Sequence, residues 1–201
     1  MDVVELPFLL ENKINKKIIF SVEGLSIEKL SGFNNPVNIP AENIAAIRYG
    51  TYLTRGYIFA IGRQYYIELK EYNDKVHRIK LNSVYGIKNK TYYRLWIDIF
   101  DKLWTYYFAN ILNYYIELVN IQQAFEIAGV MFTADGIILD KKHNIAWVDI
   151  AISNYRAYFM IYDRKNYRVN KSCSFANDWN AIVLQSLVKS IVEFYKSVSN
   201  A

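Results

Sequence analysis

The order of the predicted elements constrains this chain most, because the same order occurs twice. Short segments of β-type pattern, separated by turn residues, precede one long helical pattern, and the arrangement then repeats. The first helical pattern covers about residues 91–119 and the second about 177–198, where Asn177 and Asp178 are good N-cap residues. The 201 residues therefore predict two small domains of the α+β class, at 1–121 and 122–201.

Eleven segments have the length and composition of β-strands. Apolar and polar residues alternate in 66–70 and 76–81, as expected for a sheet with one buried face. The predicted strands are 17–23, 25–30, 43–49, 56–62, 65–70 and 76–81 in the first domain, and 125–133, 137–140, 145–150, 157–163 and 167–172 in the second.

The two halves also match each other in sequence. Residues 20–27 align without gaps with residues 132–139, and both segments contain an acid–Gly turn, where glycine supplies a positive φ. A second match pairs residues 43–47 with residues 144–148, so the offset falls from 112 to 101 residues. The first copy is then predicted to be 11 residues longer near residues 31–36. Two matches in the same order predict that one small domain was duplicated.

With these features, the sequence resembles uncharacterised bacterial proteins built from two tandem pleckstrin-homology-like (PH-like) domains. The resemblance covers nearly the whole chain and rests on residues 132–139, 145–150, 56–62 with Arg63, and Asp178-Trp179-Asn180 at the start of the last helix. It implies two bent antiparallel sheets, each capped by one C-terminal helix, and a scaffold that holds lipids, peptides or proteins. The first helix is unusually long for such a domain, and the second copy has fewer predicted strands. The fold alone does not choose the ligand.

The compartment is predicted from apolar runs and from cysteine. The longest uncharged run of the most apolar region is 14 residues, 103–116, which is shorter than the ~18–20 residues that span a bilayer. Acidic residues at the N-terminus do not fit a signal peptide. The single cysteine, Cys173, makes no internal disulfide and suits a reducing compartment. We therefore expect a cytoplasmic protein.

The sequence contains no pattern that predicts catalysis. His77 lies in a predicted strand and His143 in a polar turn, and neither is near a nucleophile in sequence. Two histidines and one cysteine are too few for a zinc site, and no glycine-rich phosphate loop is present. We therefore expect no enzyme activity, no cofactor and no catalytic, cofactor-binding or metal-binding residues.

The formal net charge is +5, and one stretch, residues 75–94, contains basic residues and no acid. This stretch forms either a solvated face or a phosphate-binding surface. The small net charge and the acidic turns after the first strands disfavour nucleic acid and phosphoinositide headgroups. The candidate anionic-ligand residues are Lys75, Arg78, Lys80, Lys88 and Lys90.

The first helix carries aromatic side chains on more than one face. One domain cannot bury all of them along a single stripe, so they pack between the two domains or contact another chain. The candidate contact residues are Trp96, Trp104, Tyr107 and Tyr114.

The sequence thus favours a non-catalytic protein-interaction module whose partner is another protein. A homodimer is one form of that partner, and no nucleic acid is expected. The alternative is a peripheral membrane or anionic-ligand binder that uses residues 75–94, with membrane lipid as the partner.

Overall fold

The structure is a computed structural model that describes residues 1–11, 13–29, 35–57 and 59–199. The chain divides into two compact units, unit 1 (Met1–Ala109) and unit 2 (Asn110–Ala201). Antiparallel sheets and a few helices make up the described residues, which confirms the α+β class. The division falls within the long helical segment, whereas the sequence predicts a domain boundary after it, at residue 121.

Unit 1 contains two antiparallel sheets in which neighbouring strands follow chain order. The first sheet consists of β1 (Asp2–Pro7), β2 (Ile14–Phe20), β3 (Gly24–Lys29) and β4 (Val37–Pro40). A 3₁₀ turn, Ala41–Asn43, leads into the second sheet of β5 (Ile44–Arg55), β6 (Ala60–Glu71) and β7 (Val76–Val84). Helix α1 (Asn89–Leu103) and a π-helical turn (Trp104–Phe108) follow.

Unit 2 contains the same order of sheets. Its first sheet consists of β8 (Phe125–Ile127), β9 (Val130–Phe132), β10 (Gly136–Leu139) and β11 (His143–Ala146). A 3₁₀ turn, Trp147–Asp149, leads into β12 (Ile150–Asn154), β13 (Tyr158–Asp163) and β14 (Asn170–Ser174), and α3 (Ala181–Ser199) follows. All but the first residue of α2 (Ala109–Asn120) also belongs to this unit.

Several strand predictions are wrong in detail. The predicted strand 56–62 contains the turn between β5 and β6, where the Gly56 N–H donates to the Phe59 carbonyl at 2.8 Å. The predicted strand 125–133 is a hairpin of two strands, because Ala128 and Gly129 adopt positive φ. The predicted strand 145–150 is interrupted by the second 3₁₀ turn. Unit 2 is therefore not short of strands.

The last helix begins at Ala181, four residues after the predicted start at residue 177. The Asp178 carboxylate accepts the N–H of Ser174 at 2.7 Å, and Asn180 has a φ of 60°. Asp178 therefore stabilises the turn that precedes the helix, and it does not cap the helix itself.

The second sequence match between the halves is wrong by five residues. Gly24 pairs with Pro40, and Gly136 pairs with Ala146, so the two 3₁₀ turns begin at residues 41 and 147. Their offset is 147 − 41 = 106 residues, so the first copy is 112 − 106 = 6 residues longer over the hairpin of β3 and β4. Within the predicted insertion at 31–36, residues 31–34 lie outside the described residues.

The core of unit 1 contains one face of the second sheet and one side of α1, together with buried side chains of the first sheet such as Ile18 and Phe20. Strand β7 alternates as predicted, with His77, Ile79, Leu81 and Ser83 buried and the intervening residues exposed. Facing residues of β5 and β6 and one side of α1 complete this core. They include Ile47, Tyr65, Ile67, Leu69, Tyr92, Ile99 and Leu103.

The core of unit 2 contains the predicted stripe of α3, where Val183, Leu187 and Ile191 are buried. Phe132 and Phe159 of the two sheets are fully buried as well. The helical periodicity of this segment therefore predicts these three buried side chains correctly.

Both units have an equivalent turn between the second and third strands of the first sheet. Ser21 and Thr133 each donate their hydroxyl to the carbonyl of the glycine three residues on, at 3.2 and 3.1 Å. A Cβ on Gly136 would lie 2.0 Å from the Ile145 carbonyl oxygen. The glycine at 136 is therefore required by a close backbone approach and not by a positive φ, which corrects the prediction for this turn.

We expect Gly136→Ala to lower the free energy of unfolding of unit 2 by about 3 kcal/mol, because two strands must separate to admit a methyl group. The control is Gly129→Ala in the same unit, where a Cβ makes only ordinary contacts but the φ of 72° is strained. That change should cost about 1 kcal/mol. Urea unfolding measures both, and equal losses would contradict the close-approach explanation.

Candidate functional site

The five cations of the predicted anionic-ligand surface lie in different parts of unit 1. Arg78 and Lys80 point to the outer face of β7, away from the core. Lys75 lies in the turn before β7, and Lys88 and Lys90 come after its end, beside and within the start of α1. A nine-residue strand therefore separates Lys75 from Lys88.

Three of these cations contact groups of the protein itself, and of these the Lys75 ammonium lies 3.8 Å from Glu71 Oε1. The Nε of Arg78 is 2.5 Å from one carboxylate oxygen of buried Glu68, and the Nε of Arg48 is 2.5 Å from the other. The Lys88 ammonium donates to the carbonyls of Phe8, at 2.6 Å, and Glu11. Arg78 thus joins neighbouring strands, and Lys88 anchors the chain between β1 and β2.

Three of the four candidate aromatic residues belong to unit 1. Trp96 donates its indole N–H to the Tyr66 carbonyl at 3.0 Å, and Tyr107 donates its hydroxyl to the Ser21 carbonyl at 3.1 Å. Burial raises the pKa of Tyr107 to about 12. Trp104 is half-buried and lies against the ring of Phe100. Tyr114, in unit 2, is 56% exposed. That these four aromatic residues pack between the two domains, or that they contact a partner chain, stays a prediction.

His77 and Glu71 form a buried pair at the β6–β7 turn. The His77 Nε2 lies 2.6 Å from Glu71 Oε1, and the Lys75 ammonium lies 3.8 Å from the same oxygen. The hydrogen bond from His77 lowers the pKa of Glu71. His77 is therefore engaged in holding the turn. In the parts of the chain that the structure describes, no group of three or more His, Cys, Asp or Glu side chains is placed to hold a metal ion.

Cys173 is fully buried on β14. Burial raises the pKa of its thiol to about 12, so the thiolate form is scarce at neutral pH. This thiol is therefore a side chain of the core.

A groove of about 340 Å³ lies in unit 2, between the C-terminal halves of α2 and α3. Its apolar walls come from both helices and from the 3₁₀ turn, and Phe194 at its rim is 61% exposed. The apolar lining residues are Ile116, Val119, Ala134, Trp147, Leu187, Ile191 and Phe194. Polar lining is contributed by Asn120, Gln122, Ser190 and Tyr195.

One wall of the groove is a pair of stacked rings. Trp147 lies 6.3 Å from Tyr195, centroid to centroid, with an interplanar angle of 9°. The Trp147 indole N–H donates to the Ala134 carbonyl at 2.8 Å, which fixes the orientation of the ring. The wall is therefore preorganised by main-chain contacts of the same unit.

A second, smaller cavity of about 140 Å³ shares Trp147 and Tyr195 with the groove. Two exposed cations, Arg164 and Lys196, also line it. Among the described residues, no carboxylate side chain lines either cavity. The groove thus has apolar and uncharged polar lining, and the two cations belong to the neighbouring cavity that shares Trp147 and Tyr195 with it.

Sequence reasoning missed this groove, because it depends on two helices that are about 70 residues apart in the chain. The one available signal was the pair Phe194 and Tyr195 at the end of the predicted α3 stripe, which periodicity places in the core. The structure exposes Phe194 at the rim of the groove instead.

Comparisons of the chain with protein-family models, with curated proteins and with solved structures give no match. Within the described ranges, none of the helices is both long and apolar enough to cross a membrane.

We expect the stability of the protein to depend on ionised Glu71. Its folded-state pKa is lowered below the ordinary value of 4.5, so its contribution is present above that pH and is lost as the pH falls through the folded-state pKa. Between about pH 6 and pH 3, the free energy of unfolding should therefore fall more in the wild type than in Glu71→Gln. Glu42→Gln, which removes an exposed carboxylate of the same unit, is the control. A difference between wild type and Glu71→Gln that is constant over this range would contradict the assignment.

We expect the thiol of Cys173 to resist alkylation in the folded protein. Burial both blocks access and disfavours the thiolate, so iodoacetamide at about pH 8 should modify the chain only after unfolding in urea. Tyr167→Cys places a second cysteine at a position that is 57% exposed and should give one labelled thiol per native chain. Mass spectrometry counts the adducts, and native labelling of Cys173 would show that the region opens.

Proposed function

We propose that this protein is a non-catalytic interaction module built from two tandem PH-like domains, and that the groove in unit 2 binds a segment of a partner protein. A cytoplasmic location is part of the same proposal, and a second copy of the chain is one form of the partner.

The common order of elements supports the duplicated PH-like fold. Each unit has four antiparallel strands, a 3₁₀ turn and three antiparallel strands, and a helix follows the last strand. The same corner also occurs in both, because Ala41 and Trp147 donate their N–H groups to the carbonyls of Glu23 and Asp135 at 2.9 and 3.3 Å. Matching main-chain bonds at matching points of the chain are expected from two copies of one domain.

Two of the residues considered for catalysis have structural surroundings within their units. His77 is bonded to Glu71 inside unit 1, and the Cys173 thiol is buried with a raised pKa. The proposal does not rest on residues 75–94. Arg78 in that stretch is bound to Glu68, and Lys88 is bound to main-chain carbonyls.

The chemistry of the groove indicates what it would bind. Its apolar walls fit the apolar face of a peptide segment. Grooves between helices bind such segments mainly through a few anchoring side chains of the segment. Arg164 and Lys196 line the neighbouring cavity, which shares Trp147 and Tyr195 with the groove, and would pair with an acidic residue of a segment that extends into it. The partner is therefore a protein with an amphipathic segment that carries apolar anchors and an acidic residue.

The observation that carries the proposal is the exposure of Phe194. This ring is 61% exposed at the rim of the groove and lies edge-on to Tyr195, which is itself stacked on Trp147. Aromatic side chains that stay exposed beside a preformed apolar groove are typical of binding sites.

The proposal predicts that p-benzoylphenylalanine in place of Phe194 will cross-link to a partner protein in the cells that make this chain. The control places the same photoreactive residue at Tyr167, which is similarly exposed on unit 2 but does not line the groove. We expect one distinct adduct from position 194 and none from position 167. No adduct at 194, or the same adducts at both positions, would argue against the groove.

A groove-filling variant makes this test specific. Ser190→Trp would place an indole inside the groove and should lower the yield of the adduct at least ~10-fold, since the anchoring side chains would lose their pocket. Ser197→Trp adds the same side chain to an exposed position of α3 outside the groove and should leave the yield unchanged.

A further inference from the structure

The end of unit 1 at the turn between β5 and β6 exposes apolar side chains. We call residues 52–57 and 59–63 the β5–β6 tip. Strand β7 ends at Val84, which pairs with Gly62, so the chain beyond that pair continues as a ribbon of two strands only. The ribbon is closed by the hydrogen bond between Gly56 and Phe59.

The β5–β6 tip is unusually apolar for an exposed segment. Tyr57 is fully exposed, Phe59 is 62% exposed, and Tyr52 and Leu53 are 56% and 53% exposed. Tyr85 lies beside them, because its N–H donates to the Ile61 carbonyl at 2.7 Å, and it is 73% exposed. Single exposed apolar residues are common, but five at one end of one sheet form a surface that indicates an interaction.

The same end of unit 1 is positively charged. Residues 43–67 contain Arg48, Arg55 and Arg63 and no acid, and residues 75–97 contain no acid either. Of these arginines, Arg48 is paired with Glu68. Arg55 and Arg63 make no ion pair with any residue that the structure describes. The partner of this surface is therefore expected to carry negative charge.

The distribution of the apolar side chains decides between a protein groove and a membrane. Tyr52 and Leu53 are neighbours on β5 at the base of the ribbon, where they pair with Gln64 and Arg63. They therefore point to opposite faces of the sheet, and both are exposed. A groove on a protein would cover one face, whereas the interfacial layer of a bilayer surrounds an inserted ribbon on all sides. Tyrosine is also a side chain that favours that layer.

We propose that the β5–β6 tip inserts its aromatic side chains into the interfacial layer of a membrane that contains anionic lipid, with Arg55 and Arg63 at the lipid phosphates. The ribbon from Gly62 to the turn is about four residues long, or roughly 13 Å, which reaches past the headgroups without crossing the bilayer. This surface is on unit 1, and it is independent of the groove proposed for unit 2.

Vesicle co-sedimentation tests the proposal with the whole chain. We expect binding to phosphatidylcholine vesicles that contain about one third phosphatidylglycerol, weaker binding at about 500 mM than at 50 mM salt, and little binding to pure phosphatidylcholine. No binding to the anionic vesicles at low salt would overturn the proposal. A failed cross-link at position 194 would leave this result unaffected, so the two proposals fail separately.

Two double variants, each with a matched control, locate the contact. Tyr57→Ser with Phe59→Ser should lower the vesicle partition coefficient at least ~10-fold, whereas Tyr155→Ser with Tyr167→Ser, on unit 2, should not change it. Arg55→Glu with Arg63→Glu should also lower it at least ~10-fold, and Arg156→Glu with Arg168→Glu makes the same change in net charge as a control. Equal effects of a tip variant and its control would overturn the proposal.

A fluorescent label reports insertion directly. Phe59→Cys and Tyr167→Cys each carry the environment-sensitive dye NBD, and circular dichroism confirms that both proteins fold. We expect the NBD emission at position 59 to rise at least ~2-fold and shift to shorter wavelength on anionic vesicles, and the emission at position 167 to stay constant. If the protein sediments with the vesicles but the NBD emission at position 59 does not change, the tip does not insert, and the proposal is overturned.

Discussion

A corner made of main-chain groups determines how each unit is built. The 3₁₀ turn is tied to the acid–Gly turn by the N–H of Ala41 in one unit and of Trp147 in the other. Because these bonds use only backbone atoms, the side chain at the corner is free to differ between the units. In unit 2 that side chain is an indole, which stacks on Tyr195 and forms a wall of the groove. The constraint that fixes the fold thus also places the residue that shapes the candidate binding surface.

The parts of the fold that could be predicted from the sequence are those with a local signal. The alternation in β7, the apolar stripe of α3 and the acid–Gly turn are each visible within a dozen residues. Strands β1 and β4 were missed because short strands gain their stability from pairing and carry little pattern of their own. The second match between the halves was misplaced for the same reason. Pairing aligns Ile39 with Ile145 through their partners Leu25 and Ile137, whereas sequence similarity alone aligned Ile44 with Ile145.

The candidate sites were harder to predict, because charge and exposure depend on residues far away in the sequence. The basic stretch has no acid within it, yet Glu68 on the neighbouring strand lies opposite Arg78 and pairs with it. The partners of Lys88 are carbonyls 77 and 80 residues away. The β5–β6 tip was hidden by the prediction of one continuous strand over residues 56–62. A turn within that segment leaves Tyr57 and Phe59 at the end of the ribbon and exposed.

The outer face of the second sheet of unit 1 connects its charge with its exposed tip. One buried carboxylate, Glu68, lies between Arg48 and Arg78, so this cluster keeps a net charge of +2 − 1 = +1. Desolvation of a lone glutamate would be costly, and two guanidinium groups offset that cost more completely than one. The arrangement therefore satisfies the carboxylate and still leaves the face positive, and exposed Lys80 on the same face adds to the potential. A positive face behind an apolar, aromatic tip attracts an anionic surface at a distance and orients the tip toward it.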